Sequence, residues 1–164
     1  MRTKKVVHAH NVLVQPPTTD QTTMRASAPA VHVLLDSTTS GGRVALIETV
    51  AVPGMEPPCH RHLEADTLLY VVAGEIDLYL DGDWNRAPAG SVRWIPSDTA
   101  HTFAVVGPQA YLLTVFLPAG FEQFYTELGP APWHDVERAI GTAARYGCEI
   151  TGPYPGPQPD AFPG

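Results

Sequence analysis

The chain has little cysteine, little lysine and no long apolar run. Its two cysteines, Cys59 and Cys148, lie 89 positions apart in a chain of 164 residues. Two thiols are too few for the disulfide framework of a small secreted domain, so a reduced, cytoplasmic protein is expected. Only two lysines accompany eight arginines, and the formal net charge is −7. A nucleic-acid binder or a protein held to anionic lipid normally shows a basic face, so neither partner is expected here. No stretch approaches the roughly 20 apolar residues that a membrane span needs. The opening MRTKKVVHAHNVLV is basic, then interrupted by His8, His10 and Asn11, and shows no clean small-residue cleavage site. It reads as an ordinary N-terminus.

The 17 prolines and 14 glycines are spread between short apolar runs, where they read as turns and strand ends. Charged residues make up 16% and hydrophobic ones 44%, a globular balance whose length suits one domain. Residues 1–30 are weakly patterned and are expected to form an arm with one short strand near Asn11–Val14. From Val31 the runs VHVLL, VALIETVAV, TLLYVVA, EIDLYL, SVRWIP, HTFAVV and AYLLTVFL follow one another, separated by turn signals and without intervening helices. This spacing predicts an all-β antiparallel sandwich or closed barrel over residues 31–118. A C-terminal helical segment is expected over 119–150. It comprises a turn or two ending at Gly129, then a helix from Pro132 to Tyr146 with Val136, Ile140 and Ala143 on one face. Residues 151–164 read as an extended or disordered proline-rich tail.

The chemistry is concentrated in PPCHRHLEADTLLYVVAGE, residues 57–75. On a strand His60 and His62 project to the same side about 7 Å apart. Two imidazoles so placed bind one metal at roughly 2.0–2.2 Å each if a third ligand arrives from another strand. A second segment, PAGSVRWIPSDTAH, runs from Pro88 to His101 and presents a P-x-G turn, a strand closed by Pro96, and a histidine five residues later. Taken together, Gly54, His60, His62 and Gly74, followed by Gly82, Pro88, Gly90, Pro96 and His101, resemble the paired motifs of the cupin superfamily. The resemblance covers about residues 31–118. It is to the small, single-domain bacterial cupins described as quercetin dioxygenase-like, which also carry segments similar to PAGFE and RYG beyond the barrel.

That resemblance implies a double-stranded β-helix, or jelly roll, with His60, His62 and His101 on one divalent transition metal: Fe2+, Ni2+, Mn2+, Co2+ or Zn2+. The family's motif glutamate would stand at Thr67. Thr67 is therefore expected beside the metal as a hydroxyl, with Glu64, or else Asp66, as an alternative fourth ligand. Leu69 and Val71 share the parity of Thr67, and Phe103 that of His101, so all three are expected to line the pocket. Tyr70 and Trp94 are expected either to pack in the barrel wall or to stack on an aromatic substrate. Cys59 reads as a packed thiol, Glu48 as an outward charge, and His134 as a surface residue near a barrel mouth.

The resemblance further implies a metal-dependent oxygenase that uses O2 on a small flat oxygenated substrate such as a flavonoid, polyketide or diketone. A redox-silent isomerase, cyclase or lyase and a non-enzymatic small-molecule binder are the alternatives. A homodimer is expected, because open sheet edges need covering.

Overall fold

The computed structural model describes residues 29–130 and 132–156. The expected N-terminal arm, its strand near Asn11–Val14 and most of the proline-rich tail lie outside the described residues. Eight strands run in the order β1 (Ala30–Leu35), β2 (Ala45–Ala51), β3 (Cys59–His62), β4 (Asp66–Leu80), β5 (Asp83–Pro88), β6 (Val92–Ile95), β7 (His101–Leu117) and β8 (Cys148–Gly152). Between them lie a single helical turn, α1 (Ser37–Ser40), then α2 (Glu122–Leu128), a 3-10 turn (Pro132–His134) and α3 (Val136–Arg145). The architecture is a jelly roll built on antiparallel pairing. β7 lies between β2 and β4 and also touches β3, while β4 pairs with β5, β6 and β7.

Two long strands carry the fold. The runs TLLYVVA and EIDLYL are one continuous β4, not two strands separated at Gly74. Its register with β7 shifts between Val71 and Ala73 and again between Ala73 and Glu75, so the ladder bends there without ending. Gly74 makes the bend possible. Its φ is +76°, and a Cβ on it would run into the carbonyl oxygen of Gln109. β7 likewise continues through Gly107 and Pro108. The first half of β4 joins β6 and the second half β5, so the pair β4–β7 closes both ends of the barrel.

The inner faces form two apolar clusters. Ile47, Phe116, Phe121 and Phe124 gather with Ala139 and Ala143 of α3 in one, and Leu69, Val71, Ile76, Leu78 and Leu112 in the other. The helical segment differs from the expected 132–146 helix. Asp135 interrupts it and caps α3, accepting a hydrogen bond from the Arg138 backbone N–H at 3.1 Å. The buried face of α3 is Ala139, Thr142 and Ala143, whereas Val136 and Ile140 are 53% and 41% exposed. Small side chains on the inner face allow a close approach that larger ones would block. Beyond α3, residues expected in the tail form part of β8. Its chain alternates buried Cys148 with exposed Glu149 and pairs with β3 from Cys59 to His62. Among the described residues no helix is long and apolar enough to cross a membrane.

Candidate metal centre

β3 is short because it follows Pro57 and Pro58, which cannot donate to a ladder, and because the chain turns away after His62. Within it His60 and His62 point into the barrel, and Arg61 points out. His60 is the antiparallel partner of His101, the first residue of β7. The ligating nitrogens that the three rings can offer lie within 4.8 Å of one another, and all three residues are buried. Ring centroids are separated by 5.2 Å for His60 and His62, 4.3 Å for His60 and His101, and 5.4 Å for His62 and His101.

The rings are oriented in two ways. The Nδ1 atoms of His60 and His101 lie 2.9 Å from the carbonyl oxygens of Pro58 and Thr99. A carbonyl only accepts, so in a neutral ring each Nδ1 carries the proton and each Nε2 keeps its lone pair for a cation. The Nδ1 of His62 has no hydrogen-bond partner. That ring is held by packing, edge-on to Phe121 at 4.3 Å and to Phe116 at 5.1 Å.

Burial, reinforced by the neighbouring His101, lowers His60 to about 3. Burial also holds His62 well below its ordinary value, with His60 and His101 adding to the shift. His101 is lowered by burial, against the opposing pull of the Thr99 carbonyl. All three are therefore neutral near pH 7, the form that binds metal. Converging lone pairs, two tautomers fixed by carbonyl acceptors and an inward aim fit a mononuclear divalent ion of the transition series.

On the outside, Arg61 forms ion pairs with Glu149 of β8 at 2.7 Å and with Asp98 at 3.1 Å. It ties the strand carrying two histidines to the turn that precedes the third.

The histidines open into a cavity of about 130 Å³. Thr67, Leu69 and Phe103 line it, as their parity implies. Thr67 is 3% exposed, and its hydroxyl has no hydrogen-bond partner. Val71 also points inward, but it lies in the apolar core and not among the lining residues. Tyr70 and Trp94, expected to pack in the barrel wall or to stack on an aromatic substrate, are on the opposite face of their strands and are 37% and 51% exposed. The pairing of Leu68 with Trp94 puts both outside, because Thr67, paired with Ile95, faces in.

Glu64 is exposed in the turn after β3 and does not join the three histidines. The carboxylate of Asp66 accepts a hydrogen bond from the Ser97 backbone at 2.8 Å and is likewise not in the cluster. Glu48, expected as an outward charge, is only 8% exposed, being packed within the sheet. Cys59 and Cys148 are free, buried thiols, and burial pushes Cys148 up to about 12.

His134, expected as a surface residue near a barrel mouth, is exposed and lines the cavity, whereas sequence reasoning missed Thr49 and Thr114 on the cavity wall, and Tyr125 and Trp133 near its mouth. The threonines carried a legible signal: Ile47, Thr49 and Ala51, like Leu112, Thr114 and Phe116, alternate with outward residues. The mouth residues carried none, because their place depends on how the segment after β7 folds back.

A jelly roll with three imidazoles converging beside an internal cavity defines a β-barrel protein with a candidate mononuclear metal centre. Residues 47–116 match the cupin domain family, and this part of the barrel is a cupin domain. Solved structures agree on the fold. KdgF from Halomonas sp. superposes with a TM-score of 0.51 at 19% identity, over 57% of this chain and 82% of that one. A conserved protein with a double-stranded β-helix domain from Klebsiella pneumoniae gives 0.50 at 21% identity, over 57% and 75%. A predicted oxalate decarboxylase from Thermotoga maritima gives 0.51 at 20%, over 54% and 78%. No curated protein matches the chain.

Proposed function

We propose that this chain is a metal-dependent enzyme, an oxygenase acting on a small oxygenated organic molecule bound in the barrel. One observation carries the reading: three buried, neutral imidazoles converge on the wall of a largely apolar cavity. A divalent ion held there supplies a 2+ charge that polarises a substrate oxygen and, if redox-active, an electron path to O2.

The chain's own residues do the rest. Leu69, Leu78, Phe103 and Leu112 surround the substrate body and keep water from it. The unpaired Thr67 hydroxyl offers a hydrogen bond near the histidines. Burial raises the phenol of Tyr125, so it stays protonated and can donate. His134 lines the cavity while remaining exposed.

A second reading is a redox-silent isomerase, cyclase or lyase. Tyr125 and His134 favour it, since they put a hydrogen-bonding phenol and an imidazole on the cavity wall for chemistry that needs no change of oxidation state. The deciding experiment supplies metal-loaded protein with diketone and phenolic substrates in an oxygen-electrode cell. Oxygen uptake in step with substrate loss, absent in His60→Ala, supports the oxygenase. Conversion at equal rate under argon shows the redox-silent enzyme instead.

A further inference from the structure

We infer that Thr67 and Thr114 form a specificity-determining row of hydroxyls, selecting a substrate whose oxygens run along one edge and whose only ionised oxygen is the one on the metal. The inference rests on the metal-site reading above and concerns what else the cavity recognises.

The row follows from the register. Thr67 on β4 lies opposite Phe116 on β7, and Leu69, two residues on, lies opposite Thr114. Thr114 in turn lies opposite Ile47 on β2, and Thr49 opposite Leu112. Thr67, Thr114 and Thr49 are thus successive diagonal neighbours on one inner face, separated by steps of about 7–8 Å. All three line the cavity. The row starts beside the metal site, because Phe116, directly across from Thr67, packs against the His62 ring. It ends at Thr49, next to Val31 on β1.

Three observations give the row its meaning. The Thr67 hydroxyl is buried without any partner, a state that costs roughly 1–3 kcal/mol unless something in the cavity meets it. Apolar side chains flank the row on the same face, Ile95 beside Thr67, Leu69 beside Thr114 and Leu112 beside Thr49, and Leu78 and Phe103 also line the cavity. Among the described residues, none that lines the cavity carries a carboxylate, ammonium or guanidinium group. A second anionic group beside the row, away from the metal and from His134, would lose its hydration with no counter-charge, so this part of the cavity discriminates against acidic substrates. A neutral oxygen one ring-length from the chelating pair would instead meet Thr114.

The test uses the protein loaded with Co2+ and three hydroxypyrones that chelate through the same hydroxy-ketone pair but differ at the far end of the ring. Allomaltol carries a methyl group there, kojic acid a hydroxymethyl and comenic acid a carboxylate. Dissociation constants come from calorimetry and from the Co2+ absorption bands. Kojic acid is expected to bind about five-fold tighter than allomaltol, the worth of one net hydrogen bond, and comenic acid at least about ten-fold weaker than kojic acid.

Thr114→Val abolishes the kojic acid advantage and leaves allomaltol unchanged. Thr67→Val weakens both about five-fold, and Thr67→Ser restores them. All variants retain wild-type Co2+ affinity, which shows that they fold. The inference is overturned if Co2+ and the pyrones bind but Thr67→Val and Thr114→Val match wild type, or if comenic acid binds as tightly as kojic acid. Failure of Co2+ to bind at the three histidines removes the metal reading itself, and this inference with it.

Discussion

His60 and His101 sit directly opposite one another on antiparallel strands, with ring centroids 4.3 Å apart. Two imidazoles this close cannot both be protonated at ordinary pH without strong repulsion, and a shared cation uses both lone pairs at once. Dialysed protein is expected to take up one divalent ion per chain. His60→Ala, His62→Ala and His101→Ala should each lower affinity by more than about 100-fold, beyond the 10–100-fold typical of losing a supporting partner. Metal analysis after gel filtration checks this, and three variants that bind as wild type would remove the centre.

The metal-free protein should be sensitive to acid. The folded-state values of His60, His62 and His101 are lowered by burial, to about 3 for His60. The unfolded chain, with histidines near 6.5, takes up protons that the folded chain refuses. Stability is therefore complete above pH 6.5 and declines as pH falls below it, by about 1.4 kcal/mol per pH unit for each proton involved. Urea denaturation of chelator-stripped protein at pH 7.5 and 5.5 should show a lower midpoint at 5.5. Equal midpoints would mean that the rings are accessible to protons in the folded state.

Phe121 supports His62 where no hydrogen bond does, and Phe121 is itself 4% exposed. Phe121→Ala should destabilise the fold by about 3–5 kcal/mol through the cavity it leaves. Phe121→Leu conserves most of the volume and should retain the fold with a small loss, while the His62 ring gains freedom. The leucine variant is expected to lose metal affinity by a larger factor than its change in stability explains. Paired metal titrations and thermal melts decide this, and proportionate losses would assign Phe121 to the core alone.

The site was legible in the sequence because it depends on a period of two. H-x-H on a strand puts two rings on one face, and the turn-strand-proline-histidine pattern before His101 places the third in the adjacent ladder. The same parity placed Thr67, Leu69 and Phe103. Tyr70 and Trp94 were misplaced because aromatic residues on a strand were read for their chemistry and not their parity. Val136 and Ile140 look like the buried stripe of a helix, yet close packing on the barrel selected Ala139 and Ala143. β8 was hidden by Gly147 and the prolines that follow, since its pairing with β3 depends on contacts about 88 residues apart in sequence.

Glu122 joins the segment after β7 to the start of the fold. Its fully buried carboxylate accepts hydrogen bonds from the Ser37 backbone at 2.8 Å and the Gly120 backbone at 2.6 Å. Burial alone would raise its pKa, but these bonds outweigh it and the net shift is downward. A depressed carboxylate contributes stability that is present above its unfolded value and lost as pH falls through the folded one. Glu122→Ala strands two backbone donors and should cost about 2–4 kcal/mol. Glu122→Gln keeps an acceptor and should cost less, and its melting temperature should vary less with pH below 5 than that of wild type.

Gly74 tests whether the bend in β4 is obligatory. Its φ of +76° is unfavourable for any residue with a side chain, and an added Cβ would meet backbone atoms of Gln109 and Ala110 on β7. Backbone cannot rotate aside as a flexible side chain can, so the two long strands would have to separate at the point where they turn together. Gly74→Ala should destabilise the protein by about 1–3 kcal/mol. Gly82, at a φ of +109° in the turn between β4 and β5, has open space around its Cα, so Gly82→Ala suffers backbone strain without a clash and should lose less. Thermal melts of the two variants separate the contributions. A Gly74→Ala melt no lower than that of Gly82→Ala would show that the strands can part at little cost and that the close approach to Gln109 does not hold the barrel shut.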